Sequence, residues 1–160
     1  MIARSPKPGV KTLALDANVL VLLTVGLADV KYIARHKRLH PAYRKEHFDF
    51  LIDVIERAPA LATTTHALTE ASNLLRQCAQ PMRSEIMAAL AALIRTSDEL
   101  TPQASRASAT PEFIRLGLTD AAFTLLDSKL YRVLSADLDL IVALERRGFE
   151  VVNFHTLLFD

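Results

Sequence analysis

The amino-acid sequence predicts an α/β fold, a single domain with a parallel sheet flanked by helices on both faces. Short apolar runs alternate along the chain with longer amphipathic stretches, which is the pattern of repeated strand–helix units. A length of 160 residues suits one domain with one buried core. A hydrophobic content of 51% with only 4 glycines is typical of an ordered globular chain.

The first part of the chain predicts one strand and two helices. The stretch TLALD at residues 12–16 is short and apolar, as expected of a parallel strand buried on both faces. Asn18 is expected to cap a short apolar helix that follows. Residues 27–47 are less regular and rich in Lys, Arg and His, and helical spacing of apolar residues predicts a helix over about 41–57.

The middle of the chain predicts a second strand and two helices. ALATT at residues 60–64 is expected to be a strand, followed by a helix over 65–78. Pro81 opens another helix to about residue 95. Residues 101–111, TPQASRASATP, are small and polar and lie between prolines, which predicts a loop or weak helix.

The last third contains a helix start and a strand–helix–strand unit. Thr119 is expected to be the N-cap of a helix. YRVLSA at 131–136 predicts a third strand, and DLDLIVALERRG at 137–148 predicts a helix with Asp at its start and Arg-Arg-Gly at its end. EVVNF at 150–154 predicts the last strand.

Composition excludes several classes of protein. The net charge of +1 provides no overall attraction for nucleic acid, so any such partner needs a local basic patch. A single cysteine, Cys78, excludes an internal disulfide and a multi-cysteine metal site. Residues 1–11 have two prolines and no apolar core segment, so we expect a loose tail rather than a signal peptide, with the domain at 12–160. We expect a soluble, cytoplasmic protein with no membrane partner.

Acidic residues follow the predicted strands. Asp16 ends the first strand, Asp137 and Asp139 follow the third, Asp120 lies in the helix before it, and Glu70 lies in the helix after the second. Ligands of parallel α/β sheets bind outside the carboxyl ends of the strands, so these acids are expected to converge. Clustered carboxylates repel one another, and Mg²⁺ or Mn²⁺ is the cation that such oxygen ligands prefer.

Taken singly, most of these acids also have a structural interpretation. Asp120 and Asp137 stand at helix starts, where capping and the helix dipole favour Asp, and Glu70 suits an exposed helix surface. Asp16 differs, because it has apolar neighbours on both sides and a buried unpaired carboxylate is costly. The combination predicts a site for one or two metal ions.

Five motifs occur in an order that resembles the PIN-domain ribonucleases, with the bacterial VapC-type toxins as the nearest group. The resemblance covers about residues 12–155 and is carried by LDANVL (15–20), TTHALTEASNLL (64–75), GLTDAAF (117–123), VLSADLDL (133–140) and VVNF (151–154).

The resemblance implies a metal-dependent endoribonuclease, which would be the toxin of a type II toxin–antitoxin pair. Mg²⁺ or Mn²⁺ would support water attack on phosphorus in single-stranded or looped RNA, leaving a 5′-phosphate and a 3′-hydroxyl. An antitoxin protein and a homodimer would be the expected partners. The implied catalytic and metal-binding acids are Asp16, Glu70, Asp120 and Asp137, with Asn18, Thr119, Asp139 and Asn153 in supporting positions.

Two other functions stay open on the sequence. A haloacid-dehalogenase-like phosphatase also places a nucleophilic Asp after its first strand, but in Asp-x-Asp, and here Asn18 holds the second position. A non-catalytic fold that binds RNA or protein is the other alternative. The sequence does not distinguish a toxin from a maturation or defence nuclease.

The stretch KYIARHKRLHPAYRK at residues 31–45 contains no acid and is the most basic part of the chain. We predict that Arg35, Lys37 and Arg38 bind RNA and that Tyr32 and Tyr43 stack on bases. The alternative is a solvated connector leading into a helix.

Overall fold

The structure is a computed structural model that describes residues 9–158. Five strands form one parallel sheet in the order β3-β2-β1-β4-β5. The strands are β1 Thr12–Leu15, β2 Leu61–Thr64, β3 Asp98–Leu100, β4 Tyr131–Ser135 and β5 Val151–Asn153. The helices are α1 Ala17–Ala28, α2 Lys45–Glu56, α3 Thr65–Leu75, α4 Met82–Thr96, α5 Ala104–Ala107, α6 Phe113–Leu116, α7 Leu118–Phe123 and α8 Leu138–Arg146.

The predicted α/β class with a parallel sheet and flanking helices is confirmed. Each of the four predicted strands contains an observed strand that is one or two residues shorter. Since crossovers between parallel strands are right-handed, the run β1-β2-β3 and the unit β4-α8-β5 place their helices on opposite faces. The expectation of a loose tail concerns residues 1–8 for the most part, and these lie outside the described residues.

The strand order reverses at the centre of the sheet. β1 pairs with β2 on one side and with β4 on the other, and the chain reaches β4 only after completing the β3 edge. Leu15 is opposite Leu134 at the carboxyl end of this central pair. Such a reversal opens a crevice beyond the carboxyl ends of the two strands, and in open α/β sheets this is where ligands bind.

Two predicted helix caps are wrong. α1 is capped by Asp16, whose side chain accepts a hydrogen bond from the Val19 amide, so Asn18 lies inside the helix. Asp16 takes the cap because its own amide still donates to Leu134 O, which keeps it in extended conformation as the last sheet residue. α7 begins after Gly117, whose φ of +85° suits glycine, so Thr119 is also within its helix.

The sequence did not predict β3. This edge strand, Asp98–Leu100, pairs only with β2, and its first two residues are exposed. A short polar segment of this kind has no alternating or continuous apolar pattern, so only its pairing with β2 defines it. Residues 101–111 form the short helix α5 within irregular chain, close to the expected loop or weak helix.

Helix α1 is the central packing element. Nine of its 12 residues are buried, and it packs against α2, α3 and α4. Gly26, in its last turn, lies directly under the ring of Phe48 from α2: a Cβ on Gly26 would stand 2.2 Å from Cδ2 of that ring. The absent side chain therefore sets how closely α1 and α2 approach. Within residues 9–158, no helix is long and apolar enough to span a membrane.

Gly26→Ala is expected to destabilise the fold by about 1–3 kcal/mol, because Phe48 is buried and must shift to admit the methyl group. Urea unfolding followed by circular dichroism measures the change. The double variant Gly26→Ala/Phe48→Leu should lose less stability than the sum of the single changes, since the smaller side chain relieves the overlap. Strict additivity would show that this contact does not set the helix spacing.

Candidate metal centre

A cavity of about 350 Å³ lies at the carboxyl edge of the sheet, where the strand order reverses. Its walls come from the starts of α1 and α8, from α3 and from the α6–α7 connection. All four acids predicted to bind metal line it, and so do Asn18 and Thr119. The lining residues are Asp16, Ala17, Asn18, Glu70, Leu116, Gly117, Leu118, Thr119, Asp120 and Asp137.

Asp16 is the most deeply placed acid, with a side chain 3% exposed. Its Oδ1 accepts a hydrogen bond from the Val19 amide at 3.0 Å, and its Oδ2 accepts one from the Ser135 hydroxyl. Burial raises the pKa of Asp16 to about 6; the two hydrogen bonds lower it, and the charges of Asp137 and Glu70 raise it again. The Asp16 carboxylate is therefore held in one orientation, and a nearby positive charge would strongly favour its ionised form.

Ser135 connects the acids of the two central strands. Its hydroxyl donates to Asp16 and accepts from the amide of Asp137 at 3.0 Å, and the side chain is fully buried at the end of β4. Asp137 in turn caps α8, with Oδ1 accepting from the amides of Asp139 and Leu140 at 2.9 and 3.3 Å. Sequence reasoning passed over Ser135, although its place two residues before an acid at a strand end was a usable signal.

Asp120 and Glu70 complete the acidic lining. Asp120, in the first turn of α7, is half-buried, and burial raises its pKa to about 7, with further increases from the charges of Asp137, Asp16, Glu70 and Asp139 in that order. Glu70 is exposed in α3 and extends the acidic lining toward solvent. Because the charge of Glu70 raises the pKa of both Asp16 and Asp120, this exposed acid belongs electrostatically to the same site.

Two of the supporting residues lie outside the cavity. Asp139 is 75% exposed and pairs with Arg115 at 3.4 Å. Asn153 caps the 3₁₀ turn at His155–Leu158, where its Oδ1 accepts from the amides of His155 and Thr156. Of these two, only Asp139 acts on the site electrostatically, because its charge raises the pKa of Asp120.

The basic segment at residues 31–45 is not part of the cavity wall. Arg35, Lys37 and Arg38 are exposed, and Arg38 Nε donates to Gln77 Oε1 at 2.7 Å, just beyond the end of α3. The Arg35 guanidinium lies 5.4 Å from the centre of the Tyr32 ring. Arg38 therefore lies on the surface near the far end of the helix that carries Glu70, and Arg35 and Lys37 are exposed in the same segment.

Burial contradicts the predicted base-stacking role for Tyr32, whereas for the half-buried Tyr43 the role stays a prediction. Tyr32 is 8% exposed, and its hydroxyl donates to Glu85 of α4. Tyr43 is stacked on Phe154 at 6.4 Å and makes an edge contact with the ring of His47 at 6.0 Å. Tyr32 is thus packed against α4, and one face of the Tyr43 ring is covered by Phe154.

The donor chemistry of the cavity fits a hydrated hard cation. The charged groups lining it are all carboxylates, and Mg²⁺ usually binds through one or two carboxylates while keeping several waters. Within residues 9–158, no group of three or more His, Cys, Asp or Glu side chains is placed so that it could hold a metal ion as it stands. The arrangement fits an open site of this kind and does not form a closed protein cage.

Comparison with known proteins does not assign the chain to a family. Models of known protein families do not match the chain, and no curated protein sequence matches it significantly. The residues of the cavity themselves are therefore the basis for a functional conclusion.

Asp120→Asn should stabilise the protein at pH 8 in EDTA, and the gain should disappear toward pH 4. The folded-state pKa of Asp120 is raised above its ordinary value of 3.8, so its stabilising proton is fully present below about 4 and is lost as the pH rises through about 7. Asn stays neutral throughout. Melting temperatures of wild type and variant from pH 4 to pH 8 measure the difference.

The matched control is Asp98→Asn, which makes the same substitution on the exposed edge strand. It should leave the pH dependence of the wild type unchanged. A pH-independent difference between Asp120→Asn and wild type would show that neither burial nor the acidic neighbours raise the pKa of Asp120.

Proposed function

We propose that this protein is a Mg²⁺- or Mn²⁺-dependent endoribonuclease with a PIN-like domain. The observation that carries the proposal is one cavity, at the reversal point of a parallel sheet, lined by Asp16, Glu70, Asp120 and Asp137 without a cation among the lining residues. A site with this charge attracts divalent cations. Divalent cations at carboxylate sites are in turn the usual means of cleaving phosphodiesters.

The four acids have distinguishable roles in this proposal. Asp16 and Asp137 hold the cation from the two central strands, each oriented by hydrogen bonds to backbone amides. Glu70 and Asp120 line the same cavity from α3 and α7 and would act on the cation through the waters that it keeps. When bound, the cation supplies an activated water and charge stabilisation for in-line attack on phosphorus.

The position after Asp16 disfavours the phosphatase alternative. A haloacid-dehalogenase-like phosphatase uses Asp-x-Asp after the first strand, with the first Asp as nucleophile. Here Asn18 holds the second position, inside α1, and it lines the cavity. The cavity therefore has no carboxylate where this phosphatase pattern needs its second acid.

The proposal extends to partners. Resemblance to the VapC-type group makes the toxin of a type II pair the proposed role, with an antitoxin protein as inhibitor and a homodimer as the proposed assembly. A short neighbouring gene encoding a DNA-binding protein, and its co-purification with this chain, would support the toxin role. A monomer in light scattering would contradict the dimer.

Asp16→Asn should keep the fold and lower metal-dependent cleavage of single-stranded RNA by at least about a hundredfold. The amide oxygen can still accept the Val19 hydrogen bond and cap α1, but it brings no charge to a dication. Cleavage of a labelled RNA with Mn²⁺ or EDTA measures the loss, and end analysis should find 5′-phosphate and 3′-hydroxyl products.

Thermal shift provides a direct test of metal binding. Mn²⁺ should raise the melting temperature of the wild type and of Asp98→Asn, because it binds the folded state. The shift should be sharply reduced in Asp16→Asn and in Asp137→Asn. RNA binding without cleavage and without a metal shift would favour a non-catalytic binding fold instead.

Neutralising Arg35, Lys37 and Arg38 together should weaken RNA binding while leaving the Mn²⁺ thermal shift unchanged. All three are exposed, and Arg38 contacts Gln77 just beyond the end of the helix that carries Glu70. We propose that RNA extending beyond the cavity follows this surface. The log–log salt slope of binding should fall by about 0.7 for each phosphate of the single strand that the variant no longer neutralises.

The control for this triple variant is neutralisation of Arg95 and Arg146, which are exposed on α4 and α8. It should have little effect on the slope. An unchanged salt slope in the triple variant would assign the segment to a protein-binding surface.

A further inference from the structure

Two ion pairs of very different geometry join α6 and the residue before it to α8 and the residue after it. Arg147 donates two hydrogen bonds of 2.7 Å to Glu112, and these side chains are 34% and 15% exposed. Arg115 approaches Asp139 through one contact of 3.4 Å, with side chains 54% and 75% exposed. The first pair is bidentate and shielded and fixes α6 in place, whereas the second is loose and open to solvent.

The loose pair lies at the edge of the acidic cavity. Arg115 directly precedes Leu116, which is the first residue of the α6–α7 wall of the cavity. Asp139 follows Asp137 by two residues in the first turn of α8. The Arg115 guanidinium is thus held close to the cavity by a partner that binds it weakly.

A substrate with several phosphates needs more positive charge than the lining offers. None of the ten lining residues is a Lys, Arg or His. Arg38 is near the end of α3, beyond Glu70, with Arg35 and Lys37 exposed in the same segment, whereas Arg115 adjoins the α6–α7 wall. Of these four cations, Arg115 is the one that adjoins the cavity wall, so it is the one placed to meet an RNA strand bound in the cavity.

We propose that Arg115 binds a phosphate of the RNA strand adjacent to the cleaved bond, and that Asp139 holds its guanidinium when RNA is absent. This inference rests on the proposed ribonuclease function. A planar guanidinium matches two phosphate oxygens at once, so phosphate is a stronger partner than a single distant carboxylate oxygen. Exchange from Asp139 to phosphate requires no movement of α6, because Glu112 and Arg147 anchor that helix independently.

The test is steady-state cleavage of a labelled single-stranded RNA with Mn²⁺ at several salt concentrations. Arg115→Gln should raise KM about tenfold with a smaller change in kcat, and should reduce the log–log salt slope of kcat/KM by about 0.7. Arg115→Lys should recover part of the loss, since it restores the charge but not the bidentate geometry. Arg146→Gln, the same charge change on an exposed residue of α8, should match the wild type.

A double-variant cycle tests the role of Asp139. Asp139→Asn should lower KM in the wild type by releasing Arg115, and should lower it much less when Arg115→Gln is already present. Equal effects in the two backgrounds would show that Asp139 acts only through its charge and would overturn the exchange. Equal KM and salt slope in Arg115→Gln and Arg146→Gln would overturn the phosphate contact.

Failure of the proposed function is distinguished by the wild type. If the wild type cleaves no RNA, the ribonuclease proposal fails. Binding of the same labelled RNA in EDTA, measured by fluorescence anisotropy, then tests whether Arg115 contacts a phosphate. Weaker binding by Arg115→Gln than by Arg146→Gln supports the phosphate contact, and equal binding overturns it. Melting temperatures of all variants verify that the fold is retained, as the exposure of Arg115 leads us to expect.

Discussion

The carboxylate of Asp16 is the constraint on which the carboxyl edge of the sheet depends. Its backbone amide ends the β1–β4 pairing, one of its oxygens starts α1, and the other accepts the Ser135 hydroxyl at the end of β4. Because Ser135 also accepts the amide of Asp137, a single buried network joins two strands to the two helices that follow them. The geometry of the site is thereby set by hydrogen bonds that the fold already requires.

The same arrangement stores electrostatic strain. Burial and mutual repulsion raise the pKa of Asp16 to about 6 and of Asp120 to about 7, so the cavity holds its negative charge with difficulty. Carboxylates that served only as helix caps would not need to lie close to one another, since an isolated Asp at the surface caps a helix equally well. Repulsion of this kind is relieved by a dication, and this is the physical link between the fold and the proposed chemistry.

Short elements position the remaining parts of the site. α6 and α7 are short helices of 4 and 6 residues joined at Gly117, whose positive φ redirects the chain so that Asp120 reaches the cavity. The bidentate pair between Glu112 and Arg147 anchors this segment on α8. Acidic groups line the cavity while cations lie at and beyond its edges, a separation of charge suited to a polyanionic substrate that must also meet a bound cation.

The sequence by itself determined the α/β class, four of the five strands and the set of acids that line the cavity, because apolar runs and strand-end carboxylates are local patterns. Tertiary structure alone decided the β3 edge, the identity of the α1 cap and the role of Ser135, since each depends on a partner distant in the chain. It also decided that Tyr32 and Tyr43 pack inward, because burial against α4 and Phe154 is invisible in a basic stretch of sequence. Local pattern fixes which groups are available, and long-range packing fixes where they point.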